Sequence, residues 1–254
     1  MATPEPGRTR EPVPSAPRTA RARARAEITS EILDAGRRYL ATDGAPGLSL
    51  RAIARDLGMA SSAVYRYVAS RDDLLTKLII EAYDSIGAAA EAAEAVVDRA
   101  NLAGRWAAVC TAVRTWAIAN PNEYALIYGS PVPGYVAPTD TIGPASRVSN
   151  LLVGILLDAA PQPADAGRAR AGESRQAWSV ALQPVRDAIP PGVCDSDIQT
   201  GLMVWSALFG VISFELFGQF HNVVDEGPGA RDAFFAECVR RWADQLGLGS
   251  GANR

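Results

Sequence analysis

The residues best equipped for chemistry in this chain lie between positions 49 and 71, and what they suit is hydrogen bonding to a nucleic acid rather than bond making. Ser61, Ser62 and Ala63 are small or hydroxylic and let a helix backbone approach the floor of a groove. Tyr65 and Tyr67 carry hydroxyls that reach phosphate oxygens, and Arg66 can meet a phosphate or the edge of a guanine. The parts of an enzyme are missing by comparison. The one histidine, His221, ends a long apolar stretch beside Asn222 and suits a cap or the surface. No HExxH, GxSxG, Walker or GxGxxG pattern occurs. Glu215 is the acid deepest in an apolar segment, where a cap or a helix–helix hydrogen bond is its expected role. Cys110, Cys194 and Cys238 are too widely spaced for a disulfide framework or a zinc site. No metal and no cofactor is expected.

The elements that must hold these residues are legible as helices. From Arg25 onward, Ile28, Ile32, Gly36, Tyr39 and Leu40 recur at helical spacing until Gly44-Ala45-Pro46-Gly47 stops them. Leu50, Ile53, Ala54 and Leu57 follow Ser49, a good N-cap, and Gly58 ends this second helix as a C′ residue. A third short helix is expected from Ser61 or Ser62 to Val68. Two short helices around a tight turn, with the second presented outward, form a helix-turn-helix over roughly Ser49 to Val68. Ser70, with Asp72 and Asp73 in the first turn, starts a fourth helix that runs past Glu94 and is long enough, at ~35 Å, to join two modules.

The charge distribution agrees with the position of that module. Residues 1–70 hold eleven arginines against seven acids, a surplus of four positive charges, whereas residues 71–254 hold fourteen basic residues against 21 acids, a deficit of seven. Residues 1–24 combine five prolines with scattered arginines and read as a disordered basic arm. Arg21, Arg23 and Arg25 at its end are candidates for minor-groove contacts, with a merely solubilising tail as the other reading.

The run from Ser49-Leu-Arg-Ala-Ile-Ala-Arg-Asp-Leu-Gly58 through Met59-Ala-Ser-Ser-Ala-Val-Tyr65-Arg-Tyr-Val-Ala-Ser-Arg71-Asp-Asp-Leu-Leu75 resembles the DNA-binding module of the TetR family of repressors, over about residues 26–86. The resemblance rests on Ile53-Ala54, the turn glycine Gly58, Tyr65 and the basic Arg71. It implies that Ser49 caps the second helix and touches a phosphate. Ser61, Ser62 and Ala63 would then face base edges, Tyr65 and Tyr67 would hold the DNA backbone, and Arg71 would contact a phosphate. Ala60 stands where the family commonly has serine, so Ser61 is the remaining candidate to cap the third helix. It further implies a homodimer on a palindromic operator in double-stranded DNA, released by a small-molecule inducer.

Beyond residue 90 every strong signal is again helical, so the chain reads as all-α. The expected division is a helix-turn-helix domain at 25–70, a helical ligand-binding and dimerisation domain at 71–246 and a flexible tail at 247–254. Pro161 to Glu173 reads as a mobile polar segment. Trp106, Trp116, Tyr124, Tyr128, Trp178 and Phe209 are either core or the lining of an apolar ligand cavity. The last two helices, Ile198 to about Phe220 and Ala230 to Leu246, are apolar on more than one face, so one face needs a partner. Leu202, Trp205, Ile212, Phe235, Val239 and Trp242 are the candidates for a dimer interface. Trp205 and Leu208-Phe209-Gly210 also resemble a tryptophan, histidine, glycine signature of one C-terminal subgroup, with Phe209 replacing the histidine. Ile198 to Phe214 falls short of the ~20 apolar residues a bilayer span needs, and the first 25 residues have no apolar core for a secretory signal. A cytoplasmic protein without membrane partners is expected. The alternative to a DNA-binding regulator is an all-helical small-molecule-binding or protein-interaction protein.

Overall fold

The structure, a computed structural model, describes residues 20–159, 182–188 and 195–249. Among them are ten α-helices and two short 3-10 turns, with no strand. The helices are α1 (Ala20–Asp43), α2 (Leu50–Asp56), α3 (Ser61–Val64), α4 (Arg71–Ala95), α5 (Leu102–Ala119), α6 (Pro121–Tyr128), α7 (Ile142–Ala159), α8 (Gln183–Ala188), α9 (Asp195–Leu216) and α10 (Ala230–Gln245). Trp178, Cys194 and the segment 161–173 lie outside the described residues, as do residues 1–19 and 250–254.

Helix α1 begins at Ala20, earlier than the arm boundary read at residue 24. The reason is local: the alternating Ala and Arg from 20 to 26 are strong helix formers, and the last proline before them is Pro17. Arg21, Arg23 and Arg25 therefore project from the first turns of a helix. Helix α3 is shorter than expected, a single α-turn from Ser61 to Val64, after which Arg66, Tyr67 and Val68 close tight turns onto the Ala63 and Val64 carbonyls. The six-residue α8 carried no periodic signal and was not expected.

Two clusters of buried residues divide the chain. The first joins Ile32, Leu33 and Leu40 of α1 to Ile53 and Ala54 of α2, Val64 and Val68 around α3, and Leu74, Leu75 and Leu78 at the start of α4. The second begins further along the same helix at Ala82, Ile86 and Ala90 and takes in α5, α7, α9 and α10. Helix α4 thus belongs to both cores. At 1.5 Å per residue its 25 residues span ~37 Å.

Within the second core, Ile212, Phe235 and Val239 are buried inside the single chain, which corrects their assignment to a dimer face. A helix pair that is apolar all round does not announce which stripe faces in. The large apolar side chains left exposed there are Met203, Trp205, Phe214 and Phe217 on and just after α9, with Phe234 on α10; at ~100° per residue Met203, Phe214 and Phe217 share one outward side of the helix, and Trp205 lies on the side of Leu208 and Ile212. Leu202 and Trp242 are half-buried. On length and composition alone, Ile198–Leu216 passes as a bilayer span, nearer to one than the sequence reading allowed. Its inner face nonetheless packs through Val204, Leu208 and Ile212, and Glu215 near its end is held by Arg114 Nε and Nη2, both at 2.7 Å. Two residues of the stretch expected as a flexible tail, Gly247 and Leu248, close helix α10. Gly247, at φ 72°, lets the Leu248 N–H bond the Ala243 carbonyl at 2.9 Å, a Schellman closure that seats Leu248 in the core.

Helix α7 is clamped to α4 by one arginine. Arg147 donates from Nε and Nη2 to Glu91 at 2.8 and 2.6 Å, and from Nη1 to both the carbonyl and the carboxylate of Asp84 at 2.8 Å. This side chain lies over Gly87, where an added Cβ would come within 2.9 Å of the Arg147 Cβ. Gly87→Ala is therefore expected to lower stability by ~1–3 kcal/mol in urea unfolding, as an overpacked core does. Gly154→Ala on α7, which has open space around it, should instead gain ~0.5–1 kcal/mol.

Candidate nucleic-acid interface

The first core presents α3 outward. Val64 and Val68 are buried beneath it, while Ser61, Ser62, Tyr65 and Arg66 are exposed and Ala63 and Tyr67 are half-buried. The turn before α3 is built by Gly58 at φ 64°. Its N–H bonds the Arg55 carbonyl at 3.1 Å, and the Met59 N–H bonds the Ala54 carbonyl at 2.8 Å, a complete Schellman motif. Ser49 caps α2, its hydroxyl accepting from the Ala52 N–H at 3.4 Å. The N-cap of α3 is Ala60, without a side-chain bond; Ser61 lies one residue inside the helix and does not take over.

The start of α4 is capped on both sides. Ser70 accepts from the Asp73 N–H at 3.0 Å, and the Asp73 carboxylate accepts from the Ala69 N–H at 2.7 Å and pairs with Lys77 at 2.9 Å. Partial burial pushes the Asp73 carboxyl up, but the bonds from Lys77 and Ala69 outweigh it and hold the group below its ordinary value. Arg71, which the resemblance assigns to a phosphate, donates from Nη2 to the Ala45 carbonyl at 2.8 Å and so also secures the turn between α1 and α2. Arg37 ties α1 to α4 through Glu81 at 2.6 Å, and Tyr39 donates to Asp56 of α2 at 2.7 Å.

Of the aromatic residues read as either core or cavity lining, Trp106, Trp116, Tyr124 and Phe209 are buried in the second core and Tyr128 packs against it. Trp106 donates its indole N–H to the Val239 carbonyl at 3.2 Å, and Trp116 donates to the Ser85 hydroxyl at 2.8 Å. The Tyr124 hydroxyl bonds the Phe209 carbonyl and Ser213. Tyr128 stacks on Phe209 with centroids 4.3 Å apart. A cleft of about 620 Å³ lies beneath the loop 129–141, between Ile79 and Tyr83 of α4, Leu126 and Ile127 of α6, and the start of α7. Tyr135 of that loop shares a 2.9 Å hydrogen bond with Thr76 of α4, and Val132 and Tyr135 pack against the first core. Sequence reasoning missed this cleft, although Tyr135, directly after the prolines and glycines of 129–134, was a signal for it.

Residues 32–78, which include all of this turn-and-helix geometry, match bacterial regulatory proteins of the tetR family, and residues 106–242 match the tetracyclin repressor-like C-terminal domain. Relatives are equally plain. The HTH-type transcriptional regulators Rv1816 of Mycobacterium tuberculosis and Mb1846 of Mycobacterium bovis are each 43% identical over 222 residues, 81% of this chain and 88% of theirs. The chain belongs to the TetR family. Among solved structures, the regulatory protein SCO4313 is 32% identical, with a TM-score of 0.71 over 89% of this chain and all of its own. A Rhodococcus protein at 22% identity and TM-score 0.58, covering 86% of this chain and 93% of its own, shares the fold. As a TetR-family member the chain is a DNA-binding transcriptional regulator, and the family is not enzymatic.

Two substitutions test the module. Nothing lies within 4 Å of the Cβ position at Gly58, so Gly58→Ala carries only the left-handed strain, ~1–2 kcal/mol, and Gly58→Asn should lose less. Asp73→Ala should lower module stability by ~1 kcal/mol at pH 7. Because the folded carboxyl is depressed, its contribution is present above the unfolded pKa and fades as pH falls through the folded one. Below about pH 4 the difference between variant and wild type in thermal melts should shrink.

Proposed function

We propose that this regulator is a dimeric repressor that grips a palindromic operator with two copies of α3 and lets go when a neutral small molecule occupies the cleft under the loop 129–141. The observation that carries the reading is the position of that cleft: its walls include α4, and its loop also packs against the DNA-binding core. An occupant that moves Tyr135 therefore acts on the helix that carries the reading head, through Thr76.

On DNA, Ser61, Ser62, Ala63 and Arg66 discriminate bases, while Ser49, Tyr65, Tyr67 and Arg71 position the module on phosphates, with Arg21 and Arg23 extending the basic surface from α1. Two copies of α3 meet successive major grooves when they sit ~34 Å apart. The dimer forms through Met203, Phe214 and Phe217, exposed on one side of α9 and just after it, with Phe234 of α10, an apolar set that a chain in water covers with its own copy. The ligand is uncharged, since every side chain lining the cleft is neutral and a buried charge there would go uncompensated. The protein acts in the cytoplasm, where its DNA is.

Selection of duplexes from a random library should recover a two-fold symmetric sequence, and an asymmetric consensus would reject the palindrome. Sedimentation should give about twice 26.8 kDa, and Phe214→Glu with Met203→Glu should leave monomers that bind this duplex weakly. The neutral fluorophore N-phenyl-1-naphthylamine should brighten on wild type and not on Ala145→Trp, whose indole fills the cleft. Equal brightening of both would place apolar binding elsewhere.

A further inference from the structure

We infer that Arg25 is not a DNA contact but a positioning residue, one that fastens the end of the reading helix to α1 and so determines how α3 is presented. Helix α3 is the least self-sufficient element of the module. It has four residues, no side-chain cap at its start and one buried side chain, Val64. A single turn of this kind leaves most of its backbone groups without partners inside the helix and cannot persist on propensity alone. What holds its far end comes from 41 residues away. Arg25 donates from Nη2 to the Arg66 carbonyl at 2.7 Å, and its guanidinium sits over the Tyr67 ring, 5.3 Å from the centroid. A cation at the carbonyl end of a helix is favoured by the helix dipole, and a planar guanidinium can bond a carbonyl and lie on an aromatic face at once, which an ammonium cannot.

These contacts set Arg25 apart from its neighbours. Arg21, Arg23 and Arg25 all stand exposed on the N-terminal turns of α1, but Arg25 reaches back onto the module and bridges Arg66 and Tyr67 at the end of the DNA-facing turn. The angle of α3 against α1 is then set by this bridge just beyond its end and by the buried Val64, its last residue, and Val68. Losing the bridge would loosen the reading turn without removing a charge from a phosphate contact. The two roles separate through salt. Removing one phosphate contact lowers the slope of log affinity against log salt by about one and weakens all sequences alike, whereas losing a positioning contact weakens the preferred sequence alone.

The test uses full-length protein and two duplexes, one recovered by selection with the wild type and one of the same composition scrambled, titrated at several salt concentrations. Arg25→Ala and Arg25→Lys should each lower the preference for the selected duplex by about fivefold, the size expected for one lost hydrogen bond, with the salt slope unchanged. The lysine variant keeps the charge and decides the matter if the alanine variant fails to fold. Arg21→Ala and Arg23→Ala should lower the slope and leave the preference intact. Amide exchange at 65–68 should quicken in Arg25→Lys while that of α2 holds. Arg25→Lys that keeps the full preference, or Arg25→Ala that loses about one unit of salt slope on both duplexes alike, would overturn the inference.

Discussion

The constraint on which the molecule depends is that one helix serves two cores. Leu74, Leu75 and Leu78 of α4 are buried among the residues that hold α3, and Ala82, Ile86 and Ala90 of the same helix are buried against α5 and α7. The helix has no break between them, so the DNA-facing turn and the C-terminal helices cannot move independently. Its ends are anchored by polar contacts rather than by more apolar surface. At the start stand Ser70 and Asp73. At the far end Glu94, nearly buried, accepts from Arg105 at 2.5 Å and Arg99 at 2.6 Å, and Arg105 reaches on to Asp158 of α7 at 2.6 Å. An ion pair removed from water is costly to break by removing one partner, because the other charge is stranded. That cost specifies where the helix ends relative to α5 and α7.

Aromatic contacts run across the same helices. Tyr83, on the wall of the cleft, meets Tyr128 of α6 edge to face at 5.9 Å; Tyr128 stacks on Phe209 of α9, and Phe209 contacts Trp205 at 5.5 Å. Trp205 lies on the side of α9 that carries Leu208 and Ile212. A line of contacting rings thus runs from the cleft wall across α6 to α9. Packed interiors are stiff, so displacement of Tyr83 is shared with α6 and α9 rather than absorbed locally. The Tyr83 hydroxyl, donating to the Ile127 carbonyl at 3.2 Å, fixes the first ring of that line to the backbone of α6.

The sequence was most legible where a local rule acts alone. Ser49, Gly58 and Ser70 are read correctly as helix boundaries because a cap depends on its own backbone and on residues two or three away. The all-helical architecture followed from periodicity for the same reason. The facing of α9 and α10 was not legible, since both are apolar on more than one side and period alone cannot say which side a neighbour covers; Ile212, Phe235 and Val239 went inside and Phe214 stayed out. The aromatic residues were left between core and cavity lining for the same reason, because Trp106 and Tyr124 satisfy their polar atoms on carbonyls of α10 and α9 that lie far away in the chain. An arginine destined for a phosphate and one destined for a carbonyl 41 residues away look identical in sequence, and Arg25 is that case.

Leverage connects these parts. Tyr83 and Arg71 are twelve residues apart on α4, ~18 Å along its axis. A tilt of about 10° at the level of the cleft would carry the start of α4, and the module attached to it, by ~3 Å, close to the ~3.4 Å rise of one base pair. In the proposed complex, contacts made by short side chains such as Ser61, Ser62 and Ala63 would not survive a displacement of that size, whereas a long lysine or arginine would follow the groove. A reading surface poor in long polar side chains therefore leans on the shape and spacing of its site. The same poverty makes it sensitive to the angle of α4. On the proposed reading, a ligand need only favour one tilt over the other by its differential affinity to decide whether two such surfaces remain in register on one DNA.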